Sequence, residues 1–78
     1  MDRDLLIAQR ALEWLKEKNY QYVPLLDMYQ LCPITDIRSA ARARTIMGIL
    51  TNHGYLRVIE EGKEINGTYR KEVWEVLP

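Results

Sequence analysis

Thr35 to Gly54 reads TDIRSAARARTIMGILTNHG, and the way this stretch winds decides how the rest of the chain can be arranged. At 3.6 residues per turn it places Ala43, Ile46, Met47 and Leu50 on one apolar face and Arg38, Ala41, Arg42, Thr45 and Asn52 on the opposite side. One face can bury and the other cannot. The outward face mixes small residues with arginines and has no carboxylate after Asp36, a pattern suited to close approach to a polyanion. The stretch is therefore a candidate recognition helix.

Working back from it, Leu25 to Leu31 or Cys32 is predicted to be a short second helix, with Leu25, Met28, Tyr29 and Cys32 at helical spacing and Pro33 ending it. The connector Cys32 to Asp36 is expected to be tight, with Thr35 or Asp36 capping the next helix. A short helix, a tight connector and a longer helix with polar outward residues form a helix-turn-helix pattern. Residues 2–18 read as an amphipathic helix with Ile7, Ala8, Ala11, Leu12, Trp14 and Leu15 on its apolar stripe. Asp2 and Asp4 suit its positive end, Lys16 and Lys18 its negative end, and Asn19 is a natural stop. Tyr20 to Val23 is a short extended run, readable as a small third strand, and Pro24 is suited to the first position of the following helix.

Forward of Gly54 the period changes from helical to alternating. Tyr55 to Glu60 and Tyr69 to Leu77 are two β-prone runs joined through Asn66-Gly67, the dipeptide that best accommodates a two-residue hairpin turn. A strict hairpin about that turn would set Val58 opposite Glu75. One extra residue on the first arm, a bulge at Gly62, pairs Val58 with Trp74 and Leu56 with Val76 instead, so the bulge is expected. It leaves Glu60 opposite Glu72, to be screened by Lys63 or Lys71. Three helices followed by a two-stranded hairpin give an α+β winged helix-turn-helix, with Glu61 to Arg70 as a wing projecting beside the third helix.

Seventy-eight residues suffice for one domain, here expected to span 1–78. No apolar run approaches the ~20 residues that cross a bilayer, and the acidic N-terminus is unlike a signal peptide, so a soluble cytoplasmic protein is expected. Cys32 is the sole cysteine and His53 the sole histidine, which leaves no disulfide and no Cys/His zinc set. The formal net charge is zero, yet residues 36–57 hold four arginines against one aspartate. The positive charge is concentrated on the third helix.

The runs ILTNHGYLRV and GKEINGTYRKEVWEV, preceded by ALEWLKEKN, resemble the C-terminal segment of phage-, prophage- and plasmid-borne proteins similar to primase and helicase replication proteins. The resemblance extends from Ala11 onward. It implies a DNA-binding module attached to a replication protein. This chain lacks the primase or helicase body, so it is either an excised terminal domain or a small stand-alone relative.

From the residues themselves, Arg38 and Arg42 lie four apart near the start of the third helix with Thr45 next along that face, and Ser39, Ala40 and Ala41 between them permit close approach to a groove. The candidate DNA-contacting set is thus Thr35, Arg38, Ser39, Arg42 and Thr45, joined by Lys63 and Arg70 on the wing. The alternative is a solvated arginine face and wing charges that merely discourage strand pairing. Arg44 points to the flank, free or in an internal ion pair. His53 suits the helix dipole at a C-terminus, Cys32 a small apolar packing position, and Trp14 and Trp74 the core. No phosphate loop, catalytic carboxylate pair or metal-binding helix is present, so no enzyme, cofactor or small-molecule substrate is expected. Two functions compete: DNA binding, and protein interaction with a replication protein or a second copy, which the zero net charge, the acidic wing and the outward-leaning Ile49 favour.

Overall fold

The computed structural model describes residues 2–78. Among them, three helices, α1 (Arg3–Glu17), α2 (Leu25–Gln30) and α3 (Ala40–Asn52), are combined with five short strands: β1 (Tyr22–Pro24), β2 (Leu56–Ile59), β3 (Lys63–Ile65), β4 (Thr68–Arg70) and β5 (Val73–Val76). β5 is the middle strand of an antiparallel sheet ordered β1-β5-β2, and β3 pairs with β4 at the tip of the hairpin. This is the expected α+β winged-helix order, with the third strand at Tyr22–Pro24 in place of residues 20–23. Pro24 is the N-cap of α2, one position before the place expected for it.

α1 begins where the Asp2 carboxylate accepts the Asp4 N–H at 2.9 Å, and the chain leaves it through Asn19 at φ 60°, a left-handed conformation that asparagine tolerates. Its stripe Ile7, Ala8, Ala11 and Leu15 is buried against α3, whose Ala43, Ile46, Met47 and Leu50 are buried in turn. Val23, Met28 and Trp74 join the same core, and each such side chain removed from water contributes roughly 1.5–3 kcal/mol. Trp14 is half-buried and lies against Tyr20, with ring centroids 5.3 Å apart. The Tyr20 hydroxyl donates to Asp27 at 2.8 Å and ties the segment before β1 to α2; burial first, and that carboxylate second, push its pKa up to about 12.

The third helix starts later than the sequence suggests. Its N-cap is Ser39, whose hydroxyl accepts the Arg42 N–H at 3.1 Å, and neither Thr35 nor Asp36 caps it. Residues 31–39 form a longer, irregular connector in place of a tight turn. The reason is Ile37, which is fully buried and therefore pins the connector to the core; its N–H closes a turn onto the Ile34 carbonyl. Continuing the helix back through Ile37 would give up that anchorage. Cys32 packs in the same region, and burial pushes its thiol pKa up.

The hairpin has the expected register: Leu56 faces Val76 and Val58 faces Trp74. The ladder passes from Ile59–Val73 to Lys63–Arg70, so three residues on the first arm oppose two on the second, and the extra one is accommodated about Gly62 at φ 74°. A Cβ there would stand 2.6 Å from the Arg70 carbonyl oxygen and nearer still to the Tyr69 hydroxyl, which itself donates to the Glu61 carbonyl at 2.6 Å. Asn66 and Gly67 both have positive φ, as a two-residue turn of this hand requires. The expected screening of Glu72 by Lys63 or Lys71 is only partly found. Arg44 binds Glu72 directly with Lys71 assisting, while Lys63 lies over the Tyr22 ring, 4.5 Å from its centroid.

Candidate nucleic-acid interface

With Ala43, Ile46, Met47 and Leu50 turned inward, α3 leaves Ala41, Thr45 and Asn52 exposed and Gly48 half-exposed along one line. These positions recur at helical spacing and carry small side chains, so the backbone of the helix lies near the surface there. The sequence of α3, AARARTIMGILTN, contains no carboxylate. The Thr45 hydroxyl donates to the Ala41 carbonyl at 3.2 Å, which leaves the lone pairs of its oxygen able to accept from outside. Thr35 and Arg38 are exposed in the connector just ahead of the helix, and among the described residues Arg38 has no carboxylate partner.

The two arginines inside the helix behave differently from Arg38. Arg42 turns toward α1, where its guanidinium reaches both oxygens of Asp4, at 2.8 and 3.4 Å, and its Nε–H donates to the Asp36 carbonyl at 3.4 Å. The hydrogen bond from Arg42 holds the Asp4 carboxyl below its usual range and raises Arg42 in turn. Asp36 meanwhile receives Arg3 at 3.1 Å, so α1, the connector and the first turns of α3 are linked by one set of charges. Arg42 thus sits in an internal clamp.

Arg44 is roughly 200° around the helix from Arg42 and faces the sheet. Its Nε and terminal nitrogen donate to the two oxygens of Glu72 at 2.7 and 2.9 Å, the parallel fork that guanidinium makes with carboxylate or phosphate. The alternation of β5 explains the partner: with Trp74 packed on the helices, Glu72 points to the same side at the strand's end. A cleft of about 200 Å³ opens here between α2, the start of α3 and the base of the wing, lined by Tyr29, Ala40, Arg44, Arg70, Lys71 and Glu72 among others. Arg70 is therefore brought near α3. Lys63 is not. The wing tip leans toward β1, where Lys63 to Asn66 share a groove with residues 18–22.

Read together, these placements unite Thr35, Arg38, Ser39 and Thr45 at the leading end and outer face of α3, and Arg70 at the cleft beside it. They also bring in Arg44, Lys71 and Tyr29, which the DNA-contacting set omitted. The signal for Arg44 was present in the inward parity of Glu72, Trp74 and Val76, which aims a carboxylate at the third helix. A family model for the YfjI-like C-terminal winged helix domain matches residues 7–75. The chain belongs to that family. Neither curated proteins nor solved structures gave a match.

The YfjI-like fold also has a second surface here. On the α1 side of α3, Leu5, Leu12, Ile49 and Tyr55 line an apolar groove of about 370 Å³ that ends at His53, the C-cap of α3. Leu5 is 42% and Tyr55 49% exposed, unusual for large apolar side chains in one groove. No helix among the described residues is long and apolar enough to cross a membrane.

Proposed function

We propose that this winged helix binds duplex DNA through the outer face of α3, as a module attached to or acting with a mobile-element replication protein. The observation that carries this reading is a helix face without a carboxylate, lined by Ala41, Thr45, Gly48 and Asn52, and led by an uncommitted Arg38. Small side chains allow a helix to sit deep in a major groove, and a positive leading end meets the phosphates that border it. Thr35 and Ser39 lie at that end, where their hydroxyls face the DNA phosphates in this reading, and Thr45 faces the base edges. Arg42 acts as a positioning residue through Asp4. Lys63 contributes to binding only if it leaves the Tyr22 ring.

The test is a salt-dependent titration of the whole chain with short duplex DNA, read by anisotropy and amide chemical shifts. Binding that weakens steeply with salt is expected, with shifts centred on residues 38–52. Arg38→Ala should weaken binding and reduce the salt slope by about one while leaving the fold intact. Absence of any salt-sensitive association at low ionic strength would reject the proposal.

A second reading rests on the apolar groove of Leu5, Leu12, Ile49 and Tyr55: docking of a protein, either a replication partner or a second copy. Concentration-dependent mass in sedimentation, abolished by Ile49→Asp and indifferent to DNA, would favour it.

A further inference from the structure

The cleft between α3 and the base of the wing is lined by three cations, and one of them, Arg44, is paired with the chain's own Glu72 carboxylate. Arg44, Arg70 and Lys71 give it three positive charges against the single negative charge of Glu72. Ala40, the first residue of a 13-residue helix, lines the same cleft, so the positive end of the α3 dipole, where Ser39 caps only the Arg42 amide, adds to the potential, and no acidic side chain in that turn offsets it. Tyr29 supplies a hydroxyl from α2. The cleft, at about 200 Å³, has room for a phosphodiester group.

We infer that this cleft is a DNA backbone-phosphate site in which Glu72 stands in for the phosphate, and that binding proceeds by exchange of the Arg44 fork from Glu72 to the phosphodiester. The fork geometry at 2.7 and 2.9 Å suits either oxyanion. The pair is open enough for exchange: the Arg44 side chain is 53% exposed and that of Glu72 41%. Once released, Glu72 keeps Lys71 as a neighbouring cation, so its charge is not stranded. The internal carboxylate also raises the threshold for non-specific binding, because a polyanion has to displace it before it gains the arginine. The inference rests on the DNA-binding reading above and adds the position of one phosphate contact to it.

The experiment measures duplex affinity and salt slope for the unaltered chain, Arg44→Ala, Glu72→Gln and the double variant, with Glu64→Gln at the wing tip as the control for net charge. Thermal unfolding of each confirms the fold. Arg44→Ala is expected to lower the salt slope by about 0.9, equivalent to roughly threefold less affinity lost between 50 and 200 mM salt. Glu72→Gln should bind severalfold tighter than Glu64→Gln does, and that gain should vanish when Arg44 is also alanine. A direct readout is the Arg44 Nε–H and Glu72 carboxyl resonances, both of which should move on adding DNA. If Arg38→Ala weakens binding while Arg44→Ala and Glu72→Gln leave affinity and slope unchanged, the exchange is overturned and the broader DNA reading stands. If the unaltered chain shows no salt-sensitive binding, both fall.

Discussion

Two arginines two residues apart on α3 each meet a carboxylate through two hydrogen bonds, yet the flanks they occupy are built for different ends. On the α1 side, Arg42 is the less exposed of the two, at 39% against 53% for Arg44, and it takes a third acceptor in the Asp36 carbonyl. Asp36 is bound by Arg3 as well, and the connector that carries it is pinned by buried Ile37. Moving Arg42 would disturb a linked set. On the wing side, Arg44 has Glu72 as its sole carboxylate partner among the described residues, with Arg70 and Lys71 lining the same open cleft. Moving Arg44 disturbs one pair. Identical side-chain chemistry is thus a clamp where its partners are shared and an exchangeable contact where they are not.

The most disruptive way to break the contrast is to remove its anchor on the α1 side. Ile37→Ala deletes a fully buried side chain and should cost about 2–5 kcal/mol in denaturant unfolding, with loss of the Arg42 contacts ahead of those of Arg44. A cost within about 0.5 kcal/mol, the range of surface substitutions, would show that the connector is held by something else.

A smaller effect is expected from the wing side. Gly62→Ala places a Cβ at φ 74° against the Arg70 carbonyl and the Tyr69 hydroxyl, so the bulge has to reopen, at roughly 1–3 kcal/mol. Amide exchange should accelerate in β3 and β4 and at Lys71 while α1 and the inner face of α3 keep their protection. Uniform loosening of the whole chain would mean that the two flanks are not separable.

How much of this was legible in the sequence follows from the range of each interaction. The inward face of α3 was readable because Ala43, Ile46, Met47 and Leu50 repeat within three turns. The hairpin register was readable because Asn66-Gly67 fixes the turn and only one bulge reconciles the faces around it. The start of α3 is not legible locally because Thr35, Asp36 and Ser39 are all competent caps; burial of Ile37, a tertiary effect, selects Ser39. The fates of Arg42 and Arg44 depend on partners 38 and 28 residues away, which local spacing does not encode. The direction of the wing tip depends on the twist introduced at Gly62 and on Lys63 finding Tyr22, neither of which alternation alone reveals.

The finest comparison between the flanks is made with protons. The Asp4 carboxyl is held below its ordinary value of 3.8 chiefly by the hydrogen bond from Arg42, and Glu72 below 4.5 chiefly by that from Arg44. Because each is depressed in the folded chain, the unfolded chain takes up protons first as the solution is acidified. The stabilisation from each pair is therefore fully present above the ordinary value and is lost as pH falls through the folded one. Glu72 begins from the higher ordinary value, so the wing-side contribution should start to decline first, below about pH 4.5, and the Asp4 contribution below about pH 3.8. Urea midpoints measured from pH 6 to pH 3 should fall in that order. Glu72→Gln should remove the earlier part of the decline and Asp4→Asn the later part. Both pairs are partly exposed, so raising the salt concentration should flatten both steps. A midpoint unchanged between pH 5 and pH 3 would show that neither carboxylate is bound as described, and with that the distinction between clamp and exchangeable contact would lose its footing.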